Sequence, residues 1–246
     1  MKIKTKSDYV MLTVFGWIDG ITASGVVIFG FIFGFFFLYK ARKSSAKILT
    51  ILGIVNILAG LMYLGVFTDF LVVLATGFNL DNTYGLVGIL SYIWFAPVMV
   101  LALYIGAELL LPKKKWYLMA IIIIICIVFV ILFFMDTMGT FNFVPPLVSG
   151  ESLIDYNINL FEPAGIIMAI LLLAVLIVLG FGFLIKSFQS SGVLRKKFLF
   201  LSLGAICFCI FGLLEGLTAP GDILMVIIVR IGYLISFWLM YYGLKD

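Results

Sequence analysis

The chain has 246 residues, of which 65% are hydrophobic and 11% charged, and its formal net charge is +4. A soluble domain has about 45–50% apolar and about 25% charged residues, so this composition excludes an ordinary soluble fold. Nearly uncharged tracts recur along the chain, each long enough to cross a hydrocarbon core of about 30 Å. Because lipid offers no partner for backbone amides, we predict that these tracts are helices.

Polar interruptions divide the chain into seven predicted spanning helices. They cover residues 9–39, 48–73, 84–110, 116–137, 163–186, 198–217 and 222–243. The first tract is too long for a secretory signal and carries Asp19, so we interpret it as a spanning helix. We therefore predict an all-α integral membrane protein, with one seven-helix domain over residues 1–246 and a multi-pass location in the cell membrane.

Twelve of the 16 basic residues follow the first, third and fifth helices or the last one. They are Lys40, Arg42, Lys43, Lys47, Lys113, Lys114, Lys115, Lys186, Arg195, Lys196, Lys197 and Lys245. By the positive-inside bias, this side is the cytoplasm, which predicts an outer amino terminus and a cytoplasmic carboxyl terminus. Ten of the 12 acidic residues fall on the opposite side. They either form an electronegative outer mouth or are simply solvated helix ends.

One connection is much longer than the others, from about Met138 to Phe161, and it contains Pro145 and Pro146. We expect it to fold as a small cap over the outer face. The other loops are too short to hold a soluble module, so the function is expected to lie in the helices.

Short motifs suggest an internal repeat. Phe33-Gly34-Phe35 near the end of the first helix resembles Phe181-Gly182-Phe183 near the end of the fifth, and Ser-Ser pairs follow both. Tyr-x-Gly closes both the third and the seventh helix. These matches indicate either a 3+1+3 parallel repeat, with a site between the two halves, or chance similarity between low-complexity apolar segments.

The sequence excludes several kinds of chemistry. It contains no histidine, which excludes histidine-ligated haem, zincin-type metal sites and Ser-His-Asp triads. No lysine lies in the middle of a predicted helix, so a retinal Schiff base is not expected. The three cysteines lie in apolar tracts and are interpreted as small buried hydrophobes. We predict no catalytic residues, no metal, no cofactor and no nucleic-acid partner.

Arg230 is the candidate functional residue with the clearest physical argument. It lies eight positions after Asp222, roughly 12 Å along the seventh helix, and therefore inside the membrane. A charge at that depth is expected to face the bundle interior and to pair with a carboxylate. Glu215 and Asp19 are the candidate partners by depth. The three residues form either a ligand-binding site or a buried ion pair that fixes helix register.

Four further residues are candidates for lining a pocket: Tyr92, Trp94, Asn56 and Tyr233. Asn56 is flanked by glycine and alanine, so we also expect it to donate a hydrogen bond across a tight helix contact. Tyr92 and Trp94 precede Pro97, where proline can open the helix backbone. Plain core packing is the alternative interpretation for both aromatics.

Several segments carry a resemblance to a known family. They are Lys40-Ala41-Arg42-Lys43, the run from Tyr92 to Gly106, Arg195-Lys196-Lys197 before Phe198 to Leu201, and the stretch from Arg230 to Gly243. The chain resembles the seven-helix amino-terminal sensor region of archaeal and bacterial histidine kinases, which also occurs as stand-alone archaeal proteins. The family usually has an appended output domain, and this sequence ends at Asp246. The resemblance therefore implies a sensor whose output depends on a separate partner.

Our leading hypothesis is a non-enzymatic membrane sensor or ligand-binding protein with an outward-facing pocket around Arg230, Asp19 and Glu215. The alternatives are a small-solute transporter or channel and a structural subunit of a larger membrane complex. The expected partners are membrane lipid, a separate cytoplasmic or membrane signalling protein, and a second copy of the chain.

Overall fold

The computed structural model describes residues 12–218 and 221–244. Its helices are α1 (Val14–Ser44), α2 (Lys47–Leu61), α3 (Leu64–Thr76), α4 (Leu86–Tyr92), α5 (Phe95–Leu110), α6 (Lys115–Met135), α7 (Thr137–Thr140), α8 (Pro163–Val175), α9 (Gly182–Phe188), α10 (Gly192–Leu217) and α11 (Ile223–Leu244). A π-helical segment, Leu176–Phe181, joins α8 to α9, and the strands are β1 (Phe141–Val144) and β2 (Asp155–Ile158). The predicted helix start at residues 9–11, together with Lys245 and Asp246, lies outside the described residues.

Six helices are long and apolar enough to cross a membrane. They are Val14–Ser44, Leu86–Leu110, Lys115–Met135, Pro163–Phe188, Gly192–Leu217 and Ile223–Leu244. The bent pair α2 and α3 makes a seventh if it is counted as one span. The chain is therefore a helical bundle of the kind found in multi-pass membrane proteins.

The helix predicted at residues 48–73 is not continuous. It breaks between α2 and α3, whose axes differ by 47°. The amide N–H groups of Met62 and Tyr63 both bond to carbonyl groups three residues back, so the chain tightens into a turn there. The sequence contains no proline at this point. The predicted span over residues 48–73 is therefore a bent pair of helices rather than one continuous helix. The break directs Tyr63 towards α10 and α11.

Two other predicted ends also differ. Helix α1 continues past residue 39 to Ser44, where Ser45 closes it with a left-handed backbone and an N–H bond to the Ala41 carbonyl. Helix α10 begins at Gly192 rather than at residue 198, so Arg195, Lys196 and Lys197 lie in its first two turns. The apolar residues predicted where the spans lie. The helices are longer than predicted at these ends, because the basic residues that flank the apolar tracts are helical as well.

Close glycine contacts join α1 to α2. A Cβ atom added to Gly30 would lie 2.7 Å from the Cα of Gly60, and one added to Gly34 would lie 2.9 Å from the Gly53 carbonyl oxygen. Both distances are too short for a real side chain. Helices in lipid gain no hydrophobic energy from association, so this backbone proximity supplies the packing contact.

The long connection folds as a cap at one end of the bundle, which we call the hairpin end. Strands β1 and β2 pair antiparallel there, with Phe141 opposite Ile158. The loop between them is tied to α3 by Asp69, which is completely buried. Its carboxylate accepts hydrogen bonds from the Ile154 N–H at 2.8 Å and from the Asn79 side chain at 3.0 Å. The cap is thus fixed to the helices by a buried carboxylate.

The opposite end of the bundle is the basic end. Here α1, α5 and α9 finish and α2, α6 and α10 begin, with eleven lysine and arginine residues around the turns. Lys115 pairs with Glu108 across one of these turns at 2.5 Å. Both side chains are partly exposed, so this pair resembles other surface ion pairs, which contribute little to stability.

Candidate functional site

Arg230 and Asp19 form a buried ion pair between α11 and α1. One guanidinium nitrogen of Arg230 lies 2.7 Å from a carboxylate oxygen of Asp19. The other donates to the Asp19 carbonyl at 3.0 Å and to the Thr22 hydroxyl at 3.2 Å. Both side chains are less than one-tenth exposed. The carboxylate and the other acceptors that a charge inside the membrane requires are therefore present within the bundle.

Tyr63 and Tyr233 connect this ion pair to Glu215. The guanidinium carbon of Arg230 lies 4.4 Å from the centre of the Tyr63 ring, a cation–π distance. The Tyr63 hydroxyl donates to one oxygen of Glu215 at 2.6 Å, and the Tyr233 hydroxyl donates to the other at 2.9 Å. Glu215 is thus held by two tyrosines. We call Asp19, Tyr63, Glu215, Arg230 and Tyr233 the polar cluster.

The cap covers the polar cluster. The Asn157 side chain of β2 donates to the Thr218 carbonyl at the end of α10, at 2.7 Å. Asp155, also on β2, accepts a 2.6 Å hydrogen bond from the Gly221 N–H. Burial raises the pKa of Asp155 to about 6, and the negative charge of Asp19 acts in the same direction. The cavity between the cap and the cluster, lined in part by Glu215 and Arg230, has a volume of only about 40 Å³.

That volume is much smaller than the outward-facing ligand pocket predicted around Arg230, Asp19 and Glu215, because ligand sites measure about 300–1,000 Å³. The structure does bring the three predicted residues together. They bond to one another and to the two tyrosines. Their role in ligand binding stays a prediction.

A much larger cavity lies towards the basic end, with a volume of about 410 Å³. Its walls come from α1, α2, α5, α8, the π-helical segment, α9, α10 and α11, and they are almost entirely apolar. It lies between two apolar cores, so Met99 and Leu179 on one side face Leu49 and Phe237 on the other. This volume falls within the range of small-molecule sites. We call it the central cavity.

The wall of the central cavity includes an irregular backbone. The π-helical segment contributes Leu179, and the Gly180 carbonyl within it accepts a 2.7 Å hydrogen bond from the buried Ser202 hydroxyl of α10. Short π-helical insertions occur often at functional sites because they change the direction of neighbouring side chains. The serine supplies a partner for a carbonyl displaced from regular helix geometry.

Asn56 lies on the wall of the central cavity. Its side-chain nitrogen donates to the Leu52 carbonyl of the same helix at 2.9 Å, and not across a helix contact as expected. Its oxygen is buried and has no hydrogen-bond partner among the described residues. An unpaired buried oxygen costs about 1–3 kcal/mol, so a donor inside the cavity would stabilise it.

Phe208 connects the central cavity to the polar cluster. Its ring meets that of Tyr233 edge to face, with centres 5.2 Å apart. Phe208 lines the cavity, while Tyr233 bonds to Glu215 within the cluster. The polar cluster and the cavity are therefore neighbours in the bundle.

The remaining predicted pocket residues lie elsewhere. The Tyr92 ring packs against Phe141 of the cap at 4.9 Å, and the Trp94 indole donates to the Leu90 carbonyl of its own helix turn at 2.9 Å. These are packing positions, as the alternative interpretation held. Sequence reasoning missed Tyr63, because its position in the cluster depends on the break after α2.

No protein-family model matches this chain, and neither the curated proteins nor the solved structures include a match to it. Within residues 12–218 and 221–244, no three histidine, cysteine, aspartate or glutamate side chains are grouped so as to hold a metal ion. The polar cluster and the central cavity are two places in the described bundle that depart from plain apolar packing.

Proposed function

We propose that this chain is a non-enzymatic, seven-span protein of the cell membrane that binds a small apolar or amphiphilic molecule in the central cavity and acts as a sensor. The main observation that supports this proposal is the cavity of about 410 Å³ between the two apolar cores. An occupant there would contact α5, α8 and α9 on one side and α1, α2 and α11 on the other. Binding could therefore favour one relative packing of these groups, which is what a sensor requires.

The proposal retains the predicted topology, with the hairpin end outside and the basic end in the cytoplasm. The eleven described basic residues at the latter end support it through the positive-inside bias. A cysteine introduced at Ser149 should react with an impermeant reagent on intact cells, and one at Lys114 should react only after permeabilisation. The reverse pattern would invert the orientation.

Filling the cavity tests ligand binding. Ala205 lines the central cavity and is buried, whereas Ala120 lies exposed on α6. We expect Ala205→Trp to abolish saturable binding of a neutral long-chain alcohol to the protein in lipid nanodiscs, with Ala120→Trp binding as the unchanged protein does. Protein-free discs give the partitioning background. An unchanged protein that binds no more alcohol than empty discs would overturn the proposal.

Transport is the second candidate function, and one observation favours it. Phe208, on the cavity wall, contacts Tyr233 of the polar cluster, so a movement of these two rings would bring the cavity and the cluster closer together. A transporter would move its solute across sealed proteoliposomes, whereas a sensor would bind it without net movement. Uptake of a labelled ligand by vesicles therefore distinguishes the two functions.

A further inference from the structure

Asn56 carries an unpaired hydrogen-bond acceptor in the wall of the central cavity. The residue lines the cavity and is only 1% exposed. Its side-chain nitrogen donates to the Leu52 carbonyl, which can only accept a hydrogen bond, so the amide cannot be reversed. The side-chain oxygen is therefore the atom without a partner among the described residues. A donor that binds this oxygen removes the cost of leaving it unpaired.

The cavity wall around Asn56 is apolar. On α2 the lining residues next to it are Leu52, Val55 and Ala59, and α5, which packs against α2, contributes Val98, Met99 and Ala102. An ordered water needs about two to four polar partners, and this part of the wall supplies few of them. A hydroxyl at the end of an apolar chain suits the place better, because its hydrogen goes to the Asn56 oxygen and its chain lies against the apolar wall.

The cavity extends from Asn56 mainly towards the basic end. Along α2 its wall runs from Ile48 to Ala59. Asn56 lies eight residues after Ile48 and three before Ala59, which is about 12 Å and about 5 Å along the helix. A molecule with its donor at Asn56 therefore has room for its longer apolar part in the direction of the basic end.

We propose that the central cavity binds a neutral long-chain molecule whose head group donates a hydrogen bond to the Asn56 oxygen, with the chain directed towards the basic end. This inference rests on the proposed ligand-binding function and names its ligand class. An ionised carboxylate has no hydrogen to donate. An ammonium group would bring a positive charge to a wall that contains Lys40 and Lys197 and, among its described lining residues, no aspartate or glutamate.

A pair of isomers tests the donor. Dodecanol and methyl undecyl ether have the same atoms, but only the alcohol has a hydroxyl hydrogen. Binding is measured in nanodiscs of neutral lipid, with dissociation constants referred to the concentration in the lipid and with protein-free discs as the background. We expect the unchanged protein to bind the alcohol about tenfold more tightly than the ether, because the alcohol alone pairs the buried oxygen. Neither compound is charged, so attraction to the basic surface does not contribute.

Variants at Asn56 locate the head group. Asn56→Leu removes the acceptor and keeps the size of the side chain, so it should bind the alcohol and the ether equally. Its affinity for the ether should match that of the unchanged protein, which shows that the cavity is intact. Asn56→Ala removes the acceptor without filling the cavity and should also lose the preference. Ser44→Ala is the matched control, since Ser44 is a polar lining residue whose hydroxyl donates to the Lys40 carbonyl, and it should keep the preference for the alcohol.

The possible results separate this inference from the proposed function. Equal binding of the two isomers by the unchanged protein would mean that the Asn56 oxygen takes its donor from elsewhere, such as water, and would overturn the inference while leaving the cavity function intact. A preference that survives in both Asn56 variants, or that disappears in Ser44→Ala, would place the head group at another residue and would also overturn it. Binding of neither isomer above the background of empty discs would instead remove the proposed function itself.

Discussion

The two ends of this bundle differ in how much space their side chains leave. At the hairpin end, the charges of Arg230, Asp19 and Glu215 are satisfied by one another, by Thr22 and by two tyrosines. Towards the basic end, the side chains leave a cavity of about 410 Å³ with an almost entirely apolar wall. The first arrangement fixes helices to each other, and the second leaves room for a separate molecule. A buried charge therefore does not by itself indicate a binding site.

The largest expected effect tests whether the polar cluster is structural. Arg230→Leu removes one member of a buried pair and leaves Asp19 without its partner, so we expect unfolding to become easier by about 3 kcal/mol. Adding Asp19→Asn should recover part of the loss. The free energy of unfolding in mixed micelles measures both variants.

A second double variant tests whether Asp19, rather than Glu215, is the partner of Arg230. Glu215 receives its hydrogen bonds from Tyr63 and Tyr233, so Arg230→Leu/Glu215→Gln should recover less than Arg230→Leu/Asp19→Asn. Equal recovery by the two double variants would mean that Arg230 is shared evenly between the carboxylates. Unchanged binding of a long-chain alcohol by the central cavity in a folded Arg230 variant would show that the two ends act separately.

Part of this arrangement follows from the sequence. Continuous apolar tracts located the candidate spans, and the depth of Arg230 in an apolar helix led to Asp19 and Glu215 as candidate partners. Tyr63 could not be found in this way, because its position depends on a helix break with no proline to announce it. The central cavity was equally hidden, since nothing in an apolar run distinguishes side chains that pack together from those that leave a gap.

The two Phe-Gly-Phe motifs of the predicted repeat have different surroundings. A Cβ on Gly34 would meet Ile57 of α2, whereas one on Gly182 would meet Leu110 of α5. The first glycine therefore faces the helix that follows its own in the chain, and the second faces a helix that precedes its own. The internal repeat stays a prediction.

A smaller effect is expected from the tyrosines that hold Glu215. Tyr63→Phe and Tyr233→Phe should each lower the free energy of unfolding by about 1.5–2 kcal/mol, because each removes a hydrogen bond to a buried carboxylate. Tyr39→Phe is the control, since Tyr39 is exposed on α1. The loss of unfolding free energy in Tyr63→Phe/Tyr233→Phe should differ from the sum of the two single losses, because both hydroxyls donate to the same carboxylate. Strict additivity would argue against a shared partner.

The smallest expected effect comes from Asp155, and it concerns the cap rather than the cluster. Burial raises its pKa from an ordinary value of 3.8 to about 6, so the folded protein binds a proton that the unfolded chain releases between these values. The stability that this proton provides is complete below about pH 4 and is lost as the pH rises through about 6. We expect a fall of about 1–2 kcal/mol across that interval from this residue alone.

Asp155→Asn should flatten this part of the pH profile, because the amide keeps an oxygen for the Gly221 N–H and does not ionise. The measurement is the unfolding midpoint between pH 4 and pH 7, compared with Asp81→Asn at an exposed site near the same end, where bonds from Thr83 lower the pKa of Asp81. The Asp81 variant should keep the fall that the unchanged protein shows. A profile that is identical in the Asp155 variant and the unchanged protein would show that the cap leaves Asp155 in contact with water, and the space above Arg230 would then be more open than its volume of about 40 Å³ implies.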